Sequence, residues 1–257
     1  MQLLIIPVKI EKQIVENDDI AELIVQALRY HQIRLLDKDI VVIAQKVISK
    51  SENRLINLND VYPTRDAIKI SLKHAKDPRL IEIILRESKS IVRVSEKHLI
   101  TETKHGFICA NAGIDQSNVS ADENIVLLLP TDPDNSAKKI RMSLLQKTDR
   151  MVSVIISDTF GRPFRNGQTN IAIGISGISP LKSYIGKKDT FGKILKVTEI
   201  AVVDELCSAA EMVMGKNLGI PVAIIRGYEY DILNPEQDEK NNIHVILREE
   251  VKDLFRH

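Results

Sequence analysis

The chain has 257 residues, and 44% of them are hydrophobic, which is enough for one large hydrophobic core or two smaller ones. Its formal net charge is +1, so no strong overall field favours nucleic acid or a membrane surface, and the absence of Trp with only 4% aromatic residues disfavours a platform for stacked bases. No run of about 18 apolar residues occurs, which argues against a transmembrane helix.

The predicted elements of the first half begin with an apolar strand over residues 1–7. This stretch is short and lacks a basic segment, so we expect no signal peptide. Residues 17–19 are typical of a helix cap, because the apolar residues that follow share one helical face. The next predicted elements are a strand over 39–44, a helix from 63–65 to about His74, a helix from Pro78 to about Glu87, and a hairpin that pairs 99–101 with 106–110.

The second half continues with an alternation of predicted strands and long helices. In order, these are a strand over 125–129, a helix capped by Asp132 and Pro133, strands over 151–156 and 171–175, a helix from a cap at Thr198 to Gly215, and a strand over 222–225. Helices and strands mix without strict βαβ order, which indicates an α+β or mixed α/β fold. We expect one unit over 1–257, with a candidate subdomain boundary within 182–196 and a charged, peripheral tail over 235–257.

The cysteines and the common nucleotide motifs narrow the function further. Cys109 and Cys207 lie far apart in apolar surroundings, which argues against a disulfide framework and fits a reducing cytoplasm, where we expect the protein to reside. Neither a Walker A sequence nor G-x-G-x-x-G after a strand is present, so a bound nucleotide would use another loop.

The segment over residues 157–169 carries the most chemistry. It holds Asp158, Arg162 and Arg165 with two glycines and several amides, between the apolar strands over 151–156 and 171–175. A carboxylate at a strand end can hold a divalent cation, and arginines can clamp phosphate or carboxylate. A polar loop between two strands is the alternative, but the apolar run on each side favours a site. Pro163 predicts an extended loop in which the two arginines point apart.

A second segment, over residues 109–118, again ends a strand in small residues and an acid. Asp115 together with Asp158 would give two carboxylates, which suits Mg²⁺ or Mn²⁺. Taken alone, Asp115 and Asn118 are better explained as residues that hydrogen-bond their own turn.

Two basic segments complete the candidates. Lys46 and Lys50 follow the strand over 39–44 and could meet phosphate, or they could be ordinary solvated lysines. Lys216 lies in the loop between Gly215 and Gly219, where a ligand contact and a simple helix C-cap are equally supported.

Four stretches together resemble one family in order and spacing. They are residues 45–50, 105–118, 157–174, and 204–206 running into 213–216. They resemble the coenzyme F420-0:gamma-glutamyl ligases, and the likeness runs from Pro7 to about Gly227. At 257 residues the chain resembles the stand-alone archaeal form, without the nitroreductase-like domain of some bacterial relatives.

The resemblance implies a homodimer with a family-specific fold that is not Rossmann, P-loop or ATP-grasp. It also implies GTP, with Mg²⁺ or Mn²⁺, and successive γ-linked addition of L-glutamate to a deazaflavin coenzyme precursor. The precursor carboxylate would attack the GTP γ-phosphate, and the glutamate amine would then attack the acyl phosphate, releasing GDP and phosphate. Whether K⁺ takes part stays open. Two alternative functions also stay open: another GTP-dependent amide ligase or phosphotransferase on this scaffold, and a non-catalytic nucleotide-binding regulator.

The family motifs also imply roles for individual residues. Metal contacts fall on Asp115, Asp158 and Thr159. GTP contacts fall on Glu11, Lys12, Gln13, Ile14, Gln45, Lys46, Lys50, Asn118, Met214, Gly215, Lys216 and Asn217. Our own candidates for catalytic roles are Asp158, Arg162 and Arg165, and we expect the arginines to bind anionic parts of the substrates. Many relatives have Gln where Lys216 stands, in a position that resembles a metal contact, and an ammonium cannot ligate a cation. Residues 186–192 are a candidate closing segment.

Overall fold

The computed structural model describes residues 2–73, 76–96 and 98–253. The helices are α1 (Ile20–Tyr30), α2 (Gln45–Ser51), α3 (Arg65–Ser71), α4 (Pro78–Arg86), α5 (Pro133–Thr148), α6 (Val202–Met214) and α7 (Pro235–Lys240). The strands are β1 (Leu4–Val8), β2 (Ile40–Ala44), β3 (Leu55–Asn57), β4 (Ser88–Val94), β5 (Leu99–Thr103), β6 (Ile108–Ala110), β7 (Ile125–Leu127), β8 (Ser153–Arg162), β9 (Arg165–Ser176), β10 (Lys182–Ser183), β11 (Glu199–Ile200) and β12 (Val222–Arg226). This mixture confirms the predicted fold class. None of the described helices is long and apolar enough to cross a membrane.

A five-stranded sheet in the order β1-β12-β2-β8-β9 forms the centre of the protein. β2 and β8 run parallel, while the other neighbouring pairs run antiparallel. The parallel pair ends with Ala44 opposite Ser157, and Val222 at the start of β12 lies opposite Ile43. The residues that follow β2, the polar half of β8 and the residues before β12 therefore meet at one edge of the sheet.

Two clusters of buried apolar side chains support this arrangement. The larger one covers the central sheet and packs against α1, α5 and α6, and the smaller one forms around α4, β7 and the start of β5. β2, β12 and the first half of β8 are rich in apolar residues and are buried on both faces of the sheet. The subdomain boundary within 182–196 stays a prediction.

Most of the helix N-termini that the sequence predicts from polar capping residues are confirmed. Asp19 accepts a hydrogen bond from the Glu22 backbone amide at 3.0 Å at the start of α1, and Asp132 accepts from the Asn135 amide at 3.0 Å at the start of α5. The hairpin of β5 and β6 is also found. The predicted cap at Thr198 is wrong, because α6 begins at Val202 after Ala201. α3 ends at Ser71, and its predicted end at His74 lies outside the described residues, as does Met1 of the first strand.

The sequence predicts that residues 157–169 leave the strand and form a loop or a site at its end, and this local structure is wrong. β8 continues to Arg162, and β9 begins at Arg165, so the segment forms the two arms of a hairpin. Arg162 and Arg165 are paired across a two-residue turn in which Phe164 has a φ of 60°. Opposed residues of an antiparallel pair lie on the same face, so the two arginines do not point apart as Pro163 had suggested.

The tail is not wholly peripheral, contrary to the prediction for residues 235–257. Asp238 is buried and accepts a hydrogen bond from the Ser176 hydroxyl at 2.6 Å, and it pairs with Arg141 at 3.2 Å. Ile243 is also buried in the larger cluster. One buried carboxylate and one apolar side chain therefore anchor a charged segment to the sheet. Residues 254–257 lie outside the described part of the chain.

Gly174→Ala should destabilise the protein by about 1–3 kcal/mol, because a Cβ there would overpack the contact between β9 and α5. The added atom would lie 2.5 Å from the backbone carbon of Pro133. Urea unfolding measures the loss, and Gly161→Ala is the matched control because a Cβ at Gly161 meets nothing within 4 Å. Equal unfolding midpoints for the two variants would refute the close packing at Gly174.

Candidate functional site

A cavity of about 300 Å³ opens at the edge of the sheet where β2 and β8 end their parallel pairing. Its lining comes from α2, from β8 and β9, from the end of α6 and the loop before β12, and from the segment after β1. Pro221 fixes one side of this edge, because its carbonyl accepts a hydrogen bond from the Ala44 amide at 2.8 Å. Ligand sites commonly form at the carboxyl ends of parallel strands, and this cavity has that position.

Most residues predicted to contact nucleotide or metal line this cavity. They are Lys12, Gln13, Ile14, Gln45, Lys46, Lys50, Asn118, Asp158, Thr159, Met214, Gly215 and Lys216. Glu11, Asp115, Asn217, Arg162 and Arg165 are not in its lining. Glu11 pairs with Lys9 at 2.9 Å on the surface. The structure therefore brings most of the predicted site residues together around one cavity and leaves these five outside its lining.

Asp115 nonetheless belongs to the edge of the site through an ion pair. Lys46 Nζ lies 2.7 Å from Asp115 Oδ2 and donates to the Ser117 carbonyl oxygen at 2.6 Å. Burial opposes ionisation of Asp115, but the hydrogen bonds from Lys46 and Ser117 outweigh it and hold its pKa below the ordinary value. The local turn expected for Asp115 also forms, since its carboxylate accepts from the Ser117 amide at 2.7 Å. The local-turn interpretation of Asp115 is therefore confirmed, and its metal role stays a prediction.

Asp158 has the opposite electrostatic character. Burial, and then the negative charge of Asp115, raise the pKa of Asp158 to about 6, although the Thr159 backbone amide and the charges of Lys216 and Lys46 act against the rise. Its negative charge is thus costly in the absence of an added cation. Because the charge of Asp115 raises the pKa of Asp158, the two carboxylates are close enough to interact electrostatically.

The donor set fits a divalent cation of the Mg²⁺ type. No group of three or more His, Cys, Asp or Glu side chains that could hold a metal occurs in the described part of the chain. Mg²⁺ and Mn²⁺ need only one or two carboxylates when water and substrate oxygens complete the shell, and a cation between Asp115 and Asp158 would offset the charge of the buried acid.

Thr159 fits such a cation less directly. Its hydroxyl donates to Asn170 Oδ1 at 2.6 Å and accepts a hydrogen bond from the Lys216 ammonium. A charged group of the protein therefore already occupies one lone pair of this hydroxyl, and Lys216 would have to move before a second cation could share that position.

Lys50 and Gln45 offer unsatisfied groups to a ligand. Lys50 is partly buried, and its only hydrogen bond within the described residues is a weak one of 3.4 Å to the Asn118 carbonyl oxygen. Burial, followed by the charge of Lys46, lowers its pKa. Gln45 is buried, and its Nε2 donates to Ser49 and Leu128, while its Oε1 has no partner in the described part of the chain. The first group suits an anion, and the second suits an N–H donor.

The loop after α6 is tied to the opposite wall of the cavity. Asn118, with a φ of 55°, donates from Nδ2 to the Lys216 carbonyl oxygen at 3.1 Å. Gly215 ends α6 with a φ of 56°, a conformation that favours glycine. The contact joins the loop after α6 to the segment that carries Asn118.

Among the polar residues of the lining that sequence reasoning missed are Asn170 and Glu211. Asn170 directly follows the polar segment over 157–169, which was a signal, but the strand pairing that places it opposite Thr159 was not visible in the sequence. Glu211 belongs to a helix that carries several acids, and nothing in the sequence separates it from solvated ones. Asn170 and Glu211 also line a second, neighbouring cavity.

Comparison with known proteins gives a consistent assignment. The family model described as F420-0:Gamma-glutamyl ligase matches residues 9–227. The chain is 45% identical over 241 residues to the coenzyme F420:L-glutamate ligase of Methanothermobacter thermautotrophicus, covering 93% of each chain. It is 46% identical over 221 residues to the enzyme of that name from Methanocaldococcus jannaschii, covering 86% of this chain and 85% of the relative, and 42% identical over 251 residues to that from Methanopyrus kandleri, covering 97% and 96%.

Proposed function

The chain belongs to the F420-0:gamma-glutamyl ligase family, and we propose that it adds L-glutamate to the deazaflavin coenzyme precursor F420-0 at the expense of GTP. The observation that carries the proposal is the cavity at the end of β2 and β8. There Asp158, with Asp115 beside it, meets the lysines at positions 46, 50 and 216. Acids that hold a cation and lysines that hold phosphate oxygens are the parts that phosphoryl transfer requires.

Amide formation needs an activated carboxyl group. In the proposed reaction the acceptor carboxylate attacks the GTP γ-phosphate, GDP leaves, and the glutamate amine then displaces phosphate from the acyl phosphate. A bound divalent cation would neutralise charge on the phosphate oxygens, and Asp115 and Asp158 would hold it.

In this proposal the side chains of the protein position the nucleotide and neutralise the charge of its phosphates. Lys50 is the cation best placed for phosphate, since it has no carboxylate partner among the described residues. Lys46 is held by Asp115 and can turn to phosphate when a cation takes that carboxylate. Gln45 Oε1 is an acceptor for a nucleobase N–H. A homodimer belongs to the same proposal.

Release of GDP tests the function. We expect GDP release from GTP to require Mg²⁺ or Mn²⁺ and to rise strongly only when both L-glutamate and F420-0 are present. GDP release that is independent of both substrates would support another phosphotransferase, and binding of GTP without any GDP release would support a non-catalytic regulator. Either result would contradict the proposed ligase. ATP in place of GTP is the nucleotide control.

Arg165→Lys should weaken acceptor affinity much more than Arg162→Lys does. Arg162 already uses Nη2 to donate to the Asn166 carbonyl oxygen at 3.1 Å, so it braces the turn, whereas the Arg165 side chain has no hydrogen bond or ion pair with the described residues and can bind an anion. A lysine cannot reproduce the bidentate contact of an arginine with a carboxylate or phosphate. The KM for F420-0 of the two single variants decides the matter, and equal, severe losses would contradict the division of roles.

A further inference from the structure

A second cavity, of about 290 Å³, adjoins the first one. Thr159, Asn170, Glu211 and Lys216 line both cavities and thus form their shared wall. The rest of the second cavity comes from Gln168 and Thr169 on β9 and from Ser208 on α6. A small molecule in the second cavity would therefore lie next to whatever reacts in the first.

The lining of the second cavity is polar and is held in place by its own hydrogen bonds. The hydroxyls of Thr169 and Ser208 lie 2.8 Å apart, and Ser208 donates to the Asn170 carbonyl oxygen at 2.9 Å. These bonds join β9 to α6 across the base of the cavity. Fixed polar walls of this kind suit a small hydrophilic ligand better than an aromatic one.

Two opposite charges line the second cavity without pairing with each other. Glu211 is partly buried, and its carboxylate has no hydrogen bond or ion pair within residues 2–73, 76–96 and 98–253. Lys216 bonds to the Thr159 hydroxyl and has no carboxylate within ion-pair distance in that same part of the chain. A carboxylate and an ammonium that line one small cavity and stay apart are both available to a ligand that carries both charges.

We propose that this second cavity is the amino-acid subsite, in which Glu211 binds the α-ammonium of L-glutamate and Lys216 binds one of its carboxylates. The assignment rests on the proposed function, which supplies the amino acid as substrate. Free phosphate in the second cavity would pair with Lys216 but would leave the Glu211 carboxylate without a partner. Because Glu211 belongs to the shared wall, the ammonium that it binds lies at the boundary of the first cavity, where the acceptor carboxyl is activated.

Glu211→Gln tests the subsite. Loss of a charge-assisted hydrogen bond should raise the KM for L-glutamate by about 10- to 100-fold, while the Kd for GTP and the affinity for Mn²⁺ change by less than about two-fold. Glu211→Asp, which keeps the charge, should recover part of the loss. Glu205→Gln is the matched control, since Glu205 is exposed on the same helix and lines neither cavity, and it should keep the wild-type KM.

Calorimetry with L-glutamate in the presence of GDP and Mn²⁺ separates this inference from the proposed function, because it needs no turnover. We expect the wild-type protein and Glu205→Gln to bind L-glutamate, and Glu211→Gln to bind it at least about 10-fold more weakly. Equal binding by all three proteins, or none by the wild type, would overturn the subsite whether or not the protein is a ligase. Weaker Mn²⁺ affinity with unchanged glutamate binding would make Glu211 a metal contact and would overturn it too.

Discussion

Asp158→Asn should abolish glutamate addition and, at the same time, stabilise the metal-free protein. The loss of activity follows if Asp158 holds the cation that neutralises phosphate charge, an effect commonly worth several kcal/mol in the transition state. The gain in stability follows from the raised pKa of about 6 for a carboxyl whose ordinary value is 3.8. Asparagine keeps the shape of the side chain and removes the buried charge.

The pH dependence has a definite sign. A carboxyl with a higher pKa in the folded than in the unfolded state binds protons on folding between about pH 4 and 6, so its contribution to stability falls as the pH rises through that range. The metal-free wild type should therefore lose on the order of 2 kcal/mol between pH 4 and 7 from this group, and Asp158→Asn should not. Thermal unfolding across this pH range measures the difference.

A control variant and added metal sharpen the experiment. Asp134 is another carboxylate with a pKa raised by burial, it lies outside the cavity, and asparagine can keep its hydrogen bond from the Ile175 backbone amide. Asp134→Asn should retain activity and should gain thermal stability from Mn²⁺ as the wild type does, while Asp158→Asn should gain little. Near-normal turnover of a folded Asp158→Asn protein at modest metal concentration would rule out the metal role.

Lys50→Ala should weaken GTP binding by about 10- to 100-fold and leave glutamate binding nearly unchanged. Its ammonium is partly buried beside Lys46 and has only the 3.4 Å contact with the Asn118 carbonyl oxygen, so an incoming phosphate would be its principal partner. Removing it also relieves repulsion between two lysines, and we expect no loss of stability in the nucleotide-free protein.

Calorimetric titration with GTP and, separately, with L-glutamate distinguishes the two ligands. Lys69→Ala is the matched control, because Lys69 is exposed on α3 and lies outside the cavity. A defect confined to glutamate binding would show that the nucleotide assignment of Lys50 is wrong.

The sequence revealed the ingredients of the site better than its geometry. Apolar runs located β2, β8 and β12, and the polar residues after β2 and within β8 were recognisable as candidates. That Ala44 lies opposite Ser157 depends on the pairing of strands more than 100 residues apart, which local patterns do not encode. The ion pair between Lys46 and Asp115 depends on long-range packing in the same way.

The errors have identifiable causes. The arms of the hairpin over 157–169 are exposed and polar beyond Phe160, so the alternation that marks a half-buried strand is absent, and its glycines and Pro163 resemble a loop. The tail was judged by its charge, but Asp238 is buried because Ser176 and Arg141 satisfy its carboxylate. In both regions the tertiary partners outweigh composition.

The mass of F420-0 after incubation with GTP, Mn²⁺ and L-glutamate tests the central claim most directly. The account predicts that the acceptor gains the mass of one or more glutamyl residues with wild-type protein and none with Asp158→Asn. An acceptor of unchanged mass, in the presence of folded wild-type protein that binds GTP, would contradict it.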